Sequence, residues 1–508
     1  MSIELRQLLR NYVAAMHEAD AALFIGAGMS RPAGFVDWKE LLRNCAKELD
    51  LDIDREHDLV AVAQYYLNRR SRDRSLLNQI LKDEFDKPVV STKSHEIIAK
   101  LPVSTIWTTN FDKLIEEAFR AGRRNIDVKM RDKDIATHKK GREAVLYKMH
   151  GDIARPDEVV ICKDDYERYV KNHPIFQNTL EGDLLSKTFL FLGFSFNDPH
   201  LEYMLGHLRS LLEDSKREHY AVIRRARLNW HKKNKREARK EFEYETTKQA
   251  LQIEDLQRYS IQTLLIEQYN EVTDILEAIE QLYHQRNIFV SGSANEFGEF
   301  GEPRTRDLCR QLGERLIVQN YKLVSGFGLN IGSSVVEGAL LKLYEKGESA
   351  IEKHLFLRPF PRNFSAKLGE ATFNTKYRED MITKCGFVIF ISGTSRTHSE
   401  SKGVLEEYEI AKAFKKVPIP IGATGFAARR IWEMVEKELE ETYFGAVKPR
   451  LFNQLNDLSL SNEQLLDIVF EVIEKVSDTT PSKQVHRVAK APNLKRSLFT
   501  HSGNAARS

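Results

Sequence analysis

Four short polar clusters in the first half of the chain are made of residue types that do chemistry. Each follows an apolar run of strand length: Gly26-Ala27-Gly28-Met29-Ser30, Thr108-Thr109-Asn110-Phe111-Asp112, Lys148-Met149-His150-Gly151-Asp152 and Gly193-Phe194-Ser195-Phe196-Asn197-Asp198-Pro199. Gly26 and Gly28 permit a tight turn and a close backbone approach to a ligand, as a pyrophosphate requires. The amide of Asn110 can hold a water or a hydroxyl in place, and His150, titrating near neutrality, can accept its proton. Each cluster also has a plainer reading. An isolated G-A-G is an ordinary strand-to-helix turn, His150 a satisfied core histidine, and Asn110 a helix cap before FDKLIEEAF. Asn197-Asp198-Pro199 reads as a turn and helix start, which is the role expected of Asp198. Position favours chemistry: in an open parallel sheet ligands gather at the carboxyl ends of strands, so four clusters placed there converge on one crevice.

Such a crevice needs a sheet to build it. From Leu5 to His17 apolar residues recur at helical spacing, and AALFI, STIWTTN, AVLYKMHGD, TFLFLGFS and HYAVIRR then read as strands with helical stretches between several of them. That alternation predicts a parallel α/β sheet. Arg224 to Arg258 mixes Arg, Lys and Glu and reads as a solvated surface helix rather than a nucleic-acid patch. A strand and closing helix in SIQTLLIEQYNEVTDILEAIEQLYHQR end a first domain at residues 1–286. A second α/β series (NIFVSGSANE, YKLVSGFGLNIGSS, HLFLRPF, CGFVIFISGT, VPIPIGATG) predicts a second domain at residues 287–476. Residues 477–508, with no acidic residue beyond Asp478, read as a disordered basic tail.

Composition narrows the function. Of 508 residues 42% are apolar and 30% charged, enough to bury two cores, and the net charge of +3 offers no global field for nucleic acid or an anionic membrane. Cys45, Cys162, Cys309 and Cys385 lie far apart, with no C-x-x-C pair for zinc and no disulfide framework, so no metal is expected and a reducing compartment is. No signal-peptide pattern opens the chain and no run approaches a membrane span, which predicts a cytoplasmic protein.

In order along the first domain, GAGMS, TTNFD, MHGD and GFSFNDP resemble the glycine loop, the Thr-Gln-Asn-x-Asp segment, the catalytic His-Gly and the Gly-x-Ser ribose-binding turn of the sirtuin family. The resemblance implies NAD binding at Gly26, Ala27, Gly28, Ser30, Asp112, Gly193 and Ser195, with Asn110 and His150 catalytic. Two departures matter: AGFVDW stands where the family has Gly-Ile-Pro-Asp-Phe-Arg, and the zinc-binding cysteines of the deacylase module are missing. A peptide substrate is therefore not expected. Cleavage of the nicotinamide bond is, with NAD as substrate and no further cofactor. Asp112 would orient the nicotinamide side or Asn110 itself.

In the second domain, Ser291-Gly292-Ser293 follow a strand, and Gly326, Gly328 and Gly332 precede a helix, an arrangement suited to phosphate or ribose oxygens. It resembles the nucleotide-sensing SLOG domains. A sirtuin-like domain followed by a SLOG domain, with YREDMI, SKGVLEEYEI and PIGATGFAARRIW in the second half, is similar to the NAD-cleaving effectors of the bacterial Thoeris anti-phage system. That resemblance implies a homotetramer activated by a cyclic ADP-ribose isomer made by a TIR-domain partner. Arg378, Lys402, Glu407, Ser291, Gly292, Gly326, Phe327 and Gly328 would form the signal site. The competing functions are a catalytically silent nucleotide sensor, a deacylase, and a phosphoribohydrolase. The last is disfavoured because SGTSRTHSESKGVLEE stands where its Pro-Gly-Gly-x-Gly-Thr-x-x-Glu motif would be.

Overall fold

Runs such as Ala21–Ile25 and Phe387–Ser392 are buried at every position, as strands of a sheet covered on both faces must be. The computed structural model describes residues 3–88, 90–196, 198–212, 217–228, 235–361, 369–395 and 400–489. Asn197, residues 396–399 of the SGTSRTHSE segment and tail residues 490–508 lie outside these. The chain divides into two units between Glu280 and Gln281, inside the helix Glu271–Gln285. The boundary read from sequence, after Arg286, falls just past the end of that helix.

The first unit holds seven parallel strands: β1 (Ala21–Ile25), β2 (Thr105–Thr108), β3 (Ile126–Lys129), β4 (Ala144–Lys148), β5 (Thr188–Leu192), β6 (His219–Arg224) and β7 (Ile261–Ile266). Their order is β3-β4-β2-β1-β5-β6-β7. The chain winds outward from β1 in one direction, then returns to β5 on its other side, so the switch point lies between β1 and β5. The strands that precede the four polar clusters are thus adjacent, and their last residues share one level: Lys148 pairs with Thr108, Thr108 with Ile25, and Ile25 with Leu192. At about 4.8 Å per strand, four loops leave one edge within about 14 Å.

Between β1 and β2 a helical lobe runs through Trp38–Leu41, Arg43–Glu48, Leu59–Arg69, Ser75–Phe85 and Lys93–Ile98. Its apolar core (Phe35, Leu42, Val62, Leu77 and Phe85) closes over Phe111 and Leu114, which follow β2, and Ile153, which follows β4. Phe85 meets Phe111 edge-on at 5.5 Å. On another core, Phe24, Trp107, Phe189 and Phe191 pack with Phe176, Leu180 and Leu184 of the helix Pro174–Ser186. The helix Lys235–Gln257 buries only Ala238, Ile253 and Leu256, as a solvated helix should.

The second unit is a five-stranded parallel sheet of β8 (Asn287–Ser293), β9 (Lys322–Ser325), β10 (Leu355–Leu357), β11 (Phe387–Ser392) and β12 (Val417–Ile421), ordered β10-β9-β8-β11-β12. Here the switch point lies between β8 and β11, whose ends Ser293 and Ser392 pair. The last helix, Asn462–Ala489, continues past Val476 into the segment read as tail. The segment is helical as far as Ala489. The apolar stripe of Leu465, Leu466, Val469, Val472, Ile473 and Val476 on the core nucleates it.

Candidate functional site

The four loops do meet, and the turn after β1 is shaped by the turn after β5. Gly26 N–H donates to Leu192 O and Gly28 N–H to Gly193 O, both at 2.9 Å. A Cβ on Gly26 would stand 2.5 Å from Gly193 O, and one on Gly28 2.9 Å from Gly193 Cα. Contact between the two turns is thus one reason that these positions are glycine. Gly193 itself sits at φ +64°, where a side chain is strained. Ser195 is exposed, and its carbonyl accepts from Gln252 Nε2 at 3.0 Å.

Asn110 is held from three directions. Its backbone N–H donates to Thr108 Oγ1 (3.0 Å), and its side-chain Nδ2 donates to Gly26 O (3.1 Å) and Ser30 Oγ (3.0 Å). Ser30 Oγ in turn donates to Asp112 Oδ2 at 2.6 Å, while Asp112 Oδ1 accepts from Leu114 N–H at 3.0 Å. Asp112 therefore orients Asn110 through Ser30. With both amide hydrogens committed, Asn110 Oδ1 is left buried with no protein partner. A buried acceptor in that condition is where a water or hydroxyl belongs.

His150 lies fully buried at the end of β4. Burial pulls its pKa below the usual value, with His173 adding to the effect, while Asp198 and Asp165 oppose it. Asp198 Oδ2 lies 3.3 Å from His150 Nε2 and accepts from Tyr166 OH at 3.0 Å. Asp198 Oδ1 accepts from Leu201 N–H at 3.0 Å, the helix-start role read from sequence. Its second oxygen was not legible there, because Tyr166 and His150 approach it from elsewhere in the chain. His150 Nδ1 has no hydrogen-bond partner.

Two further buried groups had no role assigned from sequence, although Lys148 opens one of the four clusters. Lys148, 1% exposed, donates from Nζ to Asp112 O (2.5 Å), Phe111 O (3.3 Å) and Glu116 Oε1 (3.1 Å), and also to the Asp152 carboxylate. His95 Nδ1 pairs with Thr92 Oγ1 at 2.8 Å. Burial pushes the His95 pKa down to about 4 against the pull of Asp112. A lysine at a strand end and a histidine in a short helix carry no local pattern that distinguishes them from surface residues.

In the second unit, Ser291 Oγ donates to Glu407 Oε2 at 2.5 Å, and Arg378 Nε lies 3.4 Å from Glu407 Oε1. Arg378 Nη1 also donates to Glu406 Oε2 at 2.8 Å, and the guanidinium lies over the Phe360 ring at 4.9 Å. Burial raises the Glu407 pKa, and Arg378 counters it. Glu407, expected as an acceptor for a ligand, here spends its oxygens on Ser291 and Arg378 and so positions the arginine. Gly326 packs against the Phe360 ring, Gly328 against the Gly292 carbonyl, and Phe327 adopts φ +55°. Lys402 is exposed at the start of the helix Lys402–Ala413, next to the Gly403 on which Arg378 rests. The structure thus brings together Ser291, Gly292, Gly328, Arg378 and Glu407 and leaves Lys402 at their margin.

Among the described residues no group of His, Cys, Asp and Glu side chains is arranged to hold a metal, and no helix is long and apolar enough to cross a membrane.

Comparison with known proteins follows the same division. Residues 104–248 match the family described as SIR2-like domain, and residues 271–476 the Sir2- and TIR-associating SLOG family. Over nearly the whole chain it is similar to proteins named NAD(+) hydrolase ThsA. The Bacillus cereus (strain MSX-D12) protein is 41% identical, covering 92% of this chain and 98% of the relative. That of Cytobacillus dafuensis is 38% identical over 93% and 97%. The Acinetobacter baumannii (strain 532279) protein is 38% identical over 93% and 99%.

Proposed function

The chain belongs to the ThsA family of NAD(+) hydrolases, and from that premise we propose that it cleaves NAD to nicotinamide and ADP-ribose at the edge formed by β4, β2, β1 and β5. One observation carries the assignment of residues: on loops leaving that edge at one level, Asn110 Oδ1 and both ring nitrogens of His150 are buried without a hydrogen-bond partner in the protein.

The bond to be broken needs little acid assistance. Nicotinamide leaves as a neutral base, taking the electron pair of the glycosidic bond and leaving an oxocarbenium-like ribosyl carbon. A water adds its oxygen to that carbon and gives up a proton. Asn110 Oδ1 holds the water by accepting one of its hydrogens. His150 receives the departing proton on a ring nitrogen, and the Asp198 carboxylate, 3.3 Å from Nε2, offsets the charge that results. Gly26, Ala27, Gly28 and the Gly193-Ser195 turn flank the sheet's switch point, where a dinucleotide's phosphates and ribose are accommodated.

The second unit is the sensor in this proposal. A cyclic ADP-ribose isomer, made by a TIR-domain partner, binds at Arg378, Ser291 and the Gly326-Phe327-Gly328 turn, with Lys402 as a second cation, and switches on a homotetramer in bacterial anti-phage defence. The pairing of SIR2-like and TIR-associating SLOG families in one chain supports this, as does a partly buried arginine beside Glu407, the partner of Ser291 on β8.

The test is nicotinamide release from NAD by the activated full-length protein. Asn110→Ala and His150→Ala should each lower turnover by at least about 100-fold while the protein melts as the parent does. Parental turnover in both variants would refute the assignment.

A further inference from the structure

We propose that Lys148 is a positioning residue for NAD cleavage, its buried ammonium fixing the turn that carries Asn110 against the turn that carries His150. The proposal rests on the reading of Asn110 and His150 given above and adds to it the device that sets their separation.

Lys148 is the last residue of β4, paired across the sheet with Thr108, the last residue of β2. Its ammonium reaches oxygens on both loops. From the β2 side come the carbonyls of Phe111 and Asp112, which directly follow Asn110, and Glu116 Oε1 of the helix Leu114–Ala121. From the β4 side comes the Asp152 carboxylate, two residues past His150. The Asp112 whose carbonyl is held is the residue whose carboxylate holds Ser30, and Ser30 accepts from the Asn110 amide. One cation therefore sits at the root of the hydrogen-bond chain that aims Asn110 and at the base of the turn that presents His150.

Stability alone does not explain this lysine. Replacing a buried ion pair by apolar side chains of similar volume is often neutral or stabilising, because desolvation offsets the attraction. Neighbouring residues of both loops, Phe111, Leu114 and Ile153, already bury apolar side chains in the helical lobe's core. What an apolar side chain cannot supply is direction toward two backbone carbonyls and a carboxylate at once. Burial works against the ammonium's charge, but Glu116, Asp152 and Asp112 together outweigh it and keep the group protonated. A charged, fully enclosed donor is a rigid one.

The experiment uses the activated full-length protein and NAD. A triple variant, Lys148→Met with Glu116→Gln and Asp152→Asn, removes the staple without stranding a carboxylate. Misplacement of reacting groups by about 1 Å costs about 100-fold in turnover. The triple variant should therefore lose kcat by about that factor, with KM for NAD changed by less than about three-fold, since the Gly26 and Gly193 turns are untouched. Should it melt far below the parent, the same split is read on Lys148→Arg, which keeps the charge but alters its reach. Parental kcat in a folded variant overturns the proposal, and so does a fall in kcat matched by a proportional rise in KM. Asn110→Ala and His150→Ala run alongside. If they retain turnover, the premise falls and the proposal with it; if they are inactive while the Lys148 variants keep kcat, only the proposal falls.

Discussion

His150 shows how much of this site is set by side chains far away in sequence. Burial lowers its pKa, so the ring is neutral, and able to accept a proton, to a lower pH than a free histidine. Activity should fall as pH drops through that depressed value. Asp198 pulls the pKa back up. In Asp198→Asn the carboxylate is gone, the ring becomes a weaker base, and the acid limb of kcat against pH should move to lower pH while plateau turnover drops by about 10- to 100-fold. An acid limb that stays in place, or moves up, would show that Asp198 serves only the helix start. The sequence made Asn110, His150 and Asp112 legible because they sit in ordered motifs directly after strands. It hid the other half of Asp198, and with it Tyr166, because their meeting with His150 brings together two loops and the helix Lys163–Asn172. Lys148 was visible within its motif, but nothing local distinguishes a stapling lysine from a solvated one.

The strands were legible wherever both faces are buried, since AALFI or FVIFIS leaves no alternative to a covered parallel strand. β3 was not legible: Ile126–Lys129 has four residues at the sheet's edge, two of them the ion-paired Asp127 and Lys129, and its pairing with β4 makes it a strand. The helical stretch beyond Val476 was not legible, as the polar residues there carry no apolar stripe of their own. β6 makes a prediction of its own. His219 opens it, buried, with Nδ1 accepting from Phe189 N–H at 3.2 Å, and burial pushes its pKa down to about 4 from an ordinary 6.5. A histidine depressed in the folded state binds its proton more readily when unfolded. Its contribution is therefore complete above pH 6.5 and is lost as pH falls toward 4, by about 3 kcal/mol in all. Urea unfolding at pH 7 and pH 4 should show that loss in the parent, reduced by about that amount in His219→Gln. An equal acid loss in both proteins would contradict it.

For the whole molecule, the proposal is a catalytic unit governed by a sensing one. A signal can shift activity only as far as it binds the active state better than the resting one. Arg378, held by Glu407 and Glu406, is the group placed to gain from two phosphates. Arg378→Ala should abolish stimulation by a cyclic ADP-ribose isomer at concentrations that saturate the parent, while calorimetry finds NAD affinity within about three-fold of the parent. Undiminished stimulation would place the signal elsewhere. Two α/β units were readable from two series of strands ending in small residues, but the internal pairing of Arg378 with Glu407 was not, since helix positions alone leave both as surface charges. The decisive measurement is release of nicotinamide and ADP-ribose from NAD by the full-length protein and by His150→Ala, with and without a panel of cyclic ADP-ribose isomers. Equal amounts of the two products, formed by the parent when one isomer is present and absent in the variant, are the predicted result. No release with any isomer, or release by His150→Ala at the parental rate, would contradict it.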